Sequence, residues 1–204
     1  MVLFHSIVFS KCLISESGVV MRPSKKSQII QQALDIFYQH GFQASGIDFI
    51  VSETGISKTT IYNHFSSKEA LISAVLGKRD QNFRTWLVDR VEQLSLTSQD
   101  KIYCVFDALD EWFESEDFKG CMFIRSSLEF PDSDGVIFKQ SQSHKKQLEQ
   151  YFYELAETAK FPNPKNIAKQ ILILKEGAIV NANLKLMATP GQQAKLMLKT
   201  LVNN

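Results

Sequence analysis

GISKTTIYNHFSSKEALISAVL, Gly55 to Leu76, packs a glycine, a lysine, hydroxyls, an asparagine and aromatic residues into a segment whose apolar residues keep helical spacing. Ser57 is placed to cap a helix of about nine residues that ends near Phe65. On a wheel of 100° per residue Ile61, Phe65, Ser57 and His64 fall on one side, with Lys58, Thr59, Tyr62 and Asn63 on the other. The apolar side can pack on Ile50 and an upstream helix. The polar side has nothing local to bury against.

The surrounding sequence supplies that upstream helix. From about Ser24 to His40 the residues Ile29, Ala33, Ile36, Phe37 and His40 recur at three and four, and Gly41 stands where a left-handed C-cap stops a helix. Ser45 or Gly46 caps a short second helix carrying Ile47, Ile50 and Val51, with Asp48 in its first turn, where a carboxylate suits the helix dipole. Thr54 and Gly55 turn the chain. Ser66 and Glu69 have capping-box spacing and open a fourth helix through Leu71, Ile72, Val75 and Leu76. Short helix, glycine turn and exposed helix make a helix-turn-helix unit. A helix of nine residues is about 13 Å long, a match for the roughly 12 Å major groove of B-DNA. Thr and Asn read base edges there, and Lys58, Tyr62 and Lys68 are suited to phosphates. The plainer alternative is a solvated face of a small helical bundle.

Continuing along the chain, helical patterns run from about Gln81 to Leu94, Ser98 to Ser115, Gly120 to Phe130, Ser133 to Lys160, Pro164 to Met187 and onward from Pro190. The breaks fall at Pro131, Pro162, Pro164 and Pro190 with Gly191. No alternation of the β kind is sustained. The expected fold class is all-α: an N-terminal three-helix helix-turn-helix domain plus a C-terminal helical domain. Residues 1–20 are apolar without a basic leader, and read as a disordered or mis-called extension or as an extra segment packed on the body. The division expected is 21–67 for the helix-turn-helix domain, 68–80 for a connecting helix and 81–204 for the second helical domain.

Bulk properties narrow the function. The net charge is +1, which argues against a uniformly basic packaging protein but leaves room for a local basic face. Bases exceed acids between Met21 and Asp80, and acids cluster from Asp107 to Asp117, as two modules with different partners would show. The 3 cysteines form no CxxC pair, so neither a disulfide framework nor a zinc knuckle is indicated and a reducing cytoplasm fits. No apolar run reaches the ~18 residues of a membrane span. The sequence has no GxSxG, HExxH, P-loop or dinucleotide fingerprint, and the histidines lack metal-ligand spacing. No enzyme, cofactor or metal is expected.

ALDIFYQHGFQASGIDFIVSETGISKTTIYNHFSSKEALISAVL, Ala33 to Leu76, resembles the DNA-binding domain of the tetracycline-repressor (TetR) family of transcriptional regulators. The resemblance covers about Ser24 to Leu76. Its marks are the phenylalanine of helix one, the GF pair, the isoleucine of helix two, and the serine-lysine, tyrosine, histidine-phenylalanine and serine-lysine-glutamate-alanine-leucine elements in register. Thr54 stands where the family most often has alanine, and Thr59 where glycine is common, so operator sequence does not carry over. The resemblance implies that Ser45 touches phosphate, that Lys58, Thr59, Thr60, Tyr62, Asn63 and His64 line the groove surface beside the capping Ser57, and that Lys68 binds backbone. His64 is equally readable as a packed residue that positions Phe65.

Family members pair this domain with a divergent helical domain that dimerises and binds a small molecule. The segment from Pro164 to Met187 is apolar nearly all round and needs burial on more than one side. With the stripe of the preceding helix it is the expected dimer interface, through Leu148, Phe152, Leu155, Ile171, Leu174, Ala178 and Ala182; the alternative is a core helix of a monomer. A pocket for an apolar or aromatic effector is expected among Phe83, Trp86, Phe106, Trp112, Met122, Phe123, Arg125, Glu129, Tyr151 and Phe152. Arg125 and Glu129, four apart, read as an internal ion pair or as the polar group that orients a ligand. Cys104 and Cys121 read as inert buried thiols or as electrophile sensors. The functional expectation is a homodimeric repressor that an effector releases from a pseudo-palindromic operator. The rival is a helical adaptor that binds a protein partner without DNA.

Overall fold

The computed structural model describes residues 23–203. The expectations for residues 1–20 lie outside the described residues. Nine helices and no strand occur among the described residues: α1 (Lys25–His40), α2 (Ile47–Thr54), α3 (Lys58–His64), α4 (Lys68–Leu94), α5 (Lys101–Phe113), α6 (Met122–Glu129), α7 (Val136–Thr158), α8 (Pro164–Asn183) and α9 (Pro190–Asn203). The all-α class expected from sequence is the class observed. The described chain forms two compact units. The first holds residues up to 82 together with 122–140, and the second holds 83–121 and 141–203.

Local chemistry accounts for the ends of the helices in the first unit. Ser24 Oγ accepts from the Ser27 amide and starts α1, and Ser57 Oγ accepts from the Thr60 amide and starts α3. Gly55 ends α2 in the left-handed region (φ 67°, ψ 6°), as a glycine permits. Gly41 ends α1 at φ 87° with ψ 168°, a positive-φ extended conformation rather than the left-handed helical cap expected. A Cβ there would also sit 3.1 Å from Glu129 Oε1.

Two boundaries differ from the sequence reading. Helix α4 is one helix of 27 residues and passes Gly77 without a break. A single glycine costs a helix only about 1 kcal/mol, and burial of Val75, Leu76 and Phe83 on either side offsets that. Its first turn is capped by Ser67, whose Oγ accepts from the Ala70 amide, not by Ser66. Helix α8 ends at Asn183, earlier than Met187.

The first unit buries Ile29, Ala33, Phe37, Phe42, Ile50, Ile61, Leu71, Ile72, Val75 and Leu76 almost completely. Each fully buried large side chain contributes about 1.5–3 kcal/mol. The second unit has its own core, in which Leu87, Val105, Phe106, Leu109, Leu148, Phe152, Ile171 and Leu198 are inaccessible. There α5, α8 and α9 pack on one another. Asp110 on α5 locks the start of α9: its carboxylate accepts from the Gly191 amide at 2.7 Å and the Gln192 amide at 2.9 Å. Asp107 adds an ion pair with Lys195. The approach is close enough that a Cβ on Gly191 would lie 2.5 Å from the Phe106 carbonyl oxygen. Gly191→Ala should therefore destabilise the protein by about 1–3 kcal/mol, measured as a lower urea midpoint with an unchanged slope.

Candidate functional site

Helix α3 is held by its apolar residues. Ile61 is 1% exposed, and Phe65, just past the helix end, is 5% exposed. Thr54 tightens the turn, donating to the Ile50 carbonyl and accepting from the Ile56 amide. Lys58, Thr59, Tyr62 and Asn63 are all left exposed. His64 is exposed as well, which decides between its two readings in favour of the solvent face. The hydroxyls of Ser57 and Thr60 lie 2.8 Å apart and are engaged with each other at the helix start.

Two of the residues expected on this surface are placed differently. Ser45 is 0% exposed, and its hydroxyl donates to the Gly41 carbonyl at 2.7 Å. That corrects the phosphate contact expected of it, because the side chain points inward and closes the α1–α2 corner. Lys68 is half-buried and reaches the Gln43 carbonyl at 3.4 Å. A charge missed in the site reading stands at the edge of the α3 face. Asp48, on α2, pairs with Lys58 Nζ at 2.9 Å, both side chains being exposed. The carboxylate raises the affinity of the Lys58 amine for its proton.

The ten residues expected around an effector are divided between the two units. Met122 and Phe123 are buried in the first unit, and Arg125 and Glu129 belong to it as well. Arg125 Nη1 donates to the Tyr38 carbonyl at 2.9 Å, and the Gln43 amide donates to Glu129 Oε2 at 2.6 Å. The two side chains thus grip the end of α1 and the loop after it. A guanidinium on a helix C-terminal carbonyl is favoured by the helix dipole. The i, i+4 spacing gave no sign of this, because the partners lie more than eighty residues away in the chain.

In the second unit Phe83 meets Trp86 and Trp112, and Trp112 meets Phe118 edge-on with ring centroids 4.8 Å apart. Phe106 and Phe152 are fully buried core residues. Tyr151 alone of the set lines a groove of about 450 Å³, with Arg84, Leu87, Val88, Gln147 and Glu154 among its walls. Burial pushes the Tyr151 phenol well above its ordinary value.

A polar cluster that sequence reasoning did not find also occupies the second unit. Lys175 is 1% exposed and donates to Glu176 Oε1 at 2.9 Å, and Lys145 donates to the same oxygen at 2.7 Å. Lys145 also donates to Cys121 Sγ at 3.4 Å. Burial, then the neighbouring Lys145, lowers the Lys175 pKa. Burial alone would raise the Glu176 pKa, but the two ammonium groups hold it below the usual carboxylate range. Cys104 is buried and its thiol is pushed up by that burial, whereas Cys121 is half-buried. No group of three or more His, Cys, Asp or Glu suited to a metal ion occurs among the described residues. No described helix is long and apolar enough to cross a membrane.

The expected dimer residues are mostly interior. Leu148, Phe152, Leu155, Ile171 and Ala178 belong to the core of the second unit, Leu174 packs against it and Ala182 is half-buried. This corrects the expectation for the five core residues, since a side chain already removed from water has no area left to bury on a partner, while Leu174 and Ala182 keep part of theirs. The exposed apolar residues are instead Ile173 and Val180 of α8 with Leu184 at its C-cap, and Leu196, Met197 and Leu201 of α9.

Residues 29–75 match the model of bacterial regulatory proteins of the tetR family. The chain is 20% identical over 155 residues to the HTH-type transcriptional regulator YjdC of Escherichia coli K12, spanning 76% of this chain and 81% of that one. It is 33% identical over 93 residues to the HTH-type transcriptional activator FasR of Mycolicibacterium smegmatis, 46% of this chain and 41% of that one. The fold superimposes on SCO4454, a TetR-family transcriptional regulator from Streptomyces coelicolor, with a TM-score of 0.81 at 23% identity, covering 90% of this chain and 92% of that one.

The buried cluster yields a test of its energetics. The Lys175 charge is buried at a cost, and Glu176 keeps Lys145 as a partner when Lys175 is removed. Lys175→Met should raise stability at pH 7, because it removes the burial cost of that ammonium and leaves the Lys145–Glu176 pair in place. The folded state binds the Lys175 proton less tightly than the unfolded chain, whose value is the ordinary 10.5. This group therefore costs stability below its folded pKa, and the cost fades as pH rises toward 10.5. The gain of the variant should shrink in parallel, as thermal melts across that range will show.

Proposed function

Because the chain is a TetR-family DNA-binding transcriptional regulator, we propose that it acts as a homodimeric repressor which a small apolar or aromatic effector releases from a pseudo-palindromic operator. The observation that carries this reading is the outward polar face of α3, with Lys58, Thr59, Tyr62 and Asn63 exposed over a buried Ile61. In this reading Thr59, Asn63 and His64 face base edges, and Lys58, Tyr62 and Lys68 serve phosphates. Ser57 and Thr60 set the start of the helix that carries them.

The second copy is supported by the stripe on α8. Ile173, Val180 and Leu184 recur at about helical spacing and are 71%, 47% and 60% exposed. Gly177 lies among them, with nothing within 4 Å of where its Cβ would stand, so another helix can approach closely. Helix α9, which packs on α8, exposes its own apolar residues. A self-complementary apolar face of this kind suits an isologous pair, which would set two recognition helices about 34–36 Å apart.

The Tyr151 groove supports an effector site in the second unit, its volume of about 450 Å³ falling within the ~300–1,000 Å³ of small-molecule pockets. Helix α4 runs unbroken through residues 82 and 83, where the chain passes from the first unit to the second. Ligand that favours one position of α4 over another would change the spacing of the recognition helices, by as much as its affinity differs between the two states.

Fluorescence anisotropy with duplex from upstream of the gene tests the DNA reading. The logarithm of the binding constant should fall linearly with the logarithm of salt, and Lys58→Met should flatten the slope by about 1. Binding that ignores salt, Lys58 and Tyr62 would contradict this reading of α3, and no binding to any duplex would favour the adaptor. Sedimentation tests the dimer. Ile173→Glu with Val180→Glu should give a folded monomer that binds the operator far more weakly, while a variant pair that remains dimeric removes the α8 face from the proposal.

A further inference from the structure

Asp48 lies in the first turn of α2 with its side chain 84% exposed, and its Oδ1 accepts from the Nζ of Lys58 at 2.9 Å. Lys58 is the first residue of α3, so the contact sets a carboxylate from α2 beside the N-terminal edge of the face that carries Thr59, Tyr62 and Asn63. The N-terminal residues of a recognition helix are those that meet base edges.

The charge of Asp48 is wrong for a phosphate anchor, because DNA binding is driven by neutralising phosphates. Its chemistry fits one feature of the major groove well. A carboxylate accepts only, and the cytosine N4 amino group is the donor that Asp and Glu read, whereas guanine shows acceptors at N7 and O6. Helix formation does not depend on the Asp48–Lys58 pair. Ser57 already caps α3 through the Thr60 amide, and both members of the pair are open to solvent. Such an exposed pair is weak and screened by salt, so DNA can separate it easily.

We propose that Asp48 is a specificity-determining residue whose carboxylate accepts from a cytosine amino group in each operator half-site. Lys58 holds the carboxylate beside α3 in the free protein and turns to a neighbouring phosphate in the complex. On a wrong sequence the carboxylate faces acceptors and phosphates without a donor, so it penalises non-specific binding. This assignment rests on the DNA-binding reading of α3.

The test is selection from a random duplex pool with the wild type, Asp48→Ala, Asp48→Asn and Asp48→Glu, alongside anisotropy on a non-specific duplex. The wild type should enrich a motif with one cytosine column in each half-site that depends on Asp48. Asp48→Ala should level that column alone, Asp48→Asn should shift it toward adenine, the base that Asn reads through N6 and N7, and Asp48→Glu should keep cytosine. Loss of the negative charge should tighten binding to the non-specific duplex by about two- to fivefold. Melting curves matching the wild type show that the variants are folded, as expected of an exposed position. A motif unchanged in Asp48→Ala, or non-specific affinity that does not rise, overturns the role of Asp48 while leaving DNA binding in place. A wild type that enriches no motif overturns the DNA reading and this assignment together.

Discussion

Helix α3 has 7 residues, too few to be stable in water by itself, so its existence and its direction depend on the burial of Ile61 and Phe65 in the first unit. Once those two side chains are inside, the 100° step between residues turns Lys58, Thr59, Tyr62 and Asn63 outward. The turn before it is set with equal economy. Gly55 takes the left-handed conformation that few other residues tolerate, and Thr54 bonds both to α2 and to the residue after the turn. The polar surface is thus a by-product of a packing decision made by apolar residues.

The support for that surface is not local. Arg125 and Glu129 of α6 hold the end of α1 and the loop after it, and Ser45 closes the same corner with a buried hydroxyl. Their residue types are polar because the groups they satisfy are backbone carbonyls and an amide left over where α1 stops. Spacing and resemblance pointed Ser45 to phosphate and the α6 pair to each other or to an effector. Both readings took a polar residue as facing outward, toward a ligand or toward another side chain, where the fold had backbone groups to satisfy instead.

In the second unit the same logic applies to apolar residues. Helix α8 is apolar on more than one side, and the inner stripe of Ile167, Ile171, Lys175 and Ala178 faces α5 and α9, leaving Ile173, Val180 and Leu184 outside. The inner stripe even holds a lysine, whose ammonium donates to Glu176 beside it despite the cost of burial and of Lys145, which shares that carboxylate. Periodicity on a helix that is apolar all round marks two stripes without ranking them.

Residues within four or so positions of one another decided much of this protein. The all-α class, the caps at Ser24 and Ser57, the Gly55 turn and the polar face of α3 all follow from spacing and from interactions inside one or two helical turns, which sequence displays directly. The remainder was decided by tertiary structure. Whether Ser45 points in or out, which stripe of α8 is buried, where Arg125 and Glu129 find partners and that Asp48 meets Lys58 across the turn depend on which surfaces come together. A one-dimensional pattern records that a side chain is polar or apolar. It does not record which neighbour, tens of residues away, will occupy the space beside it.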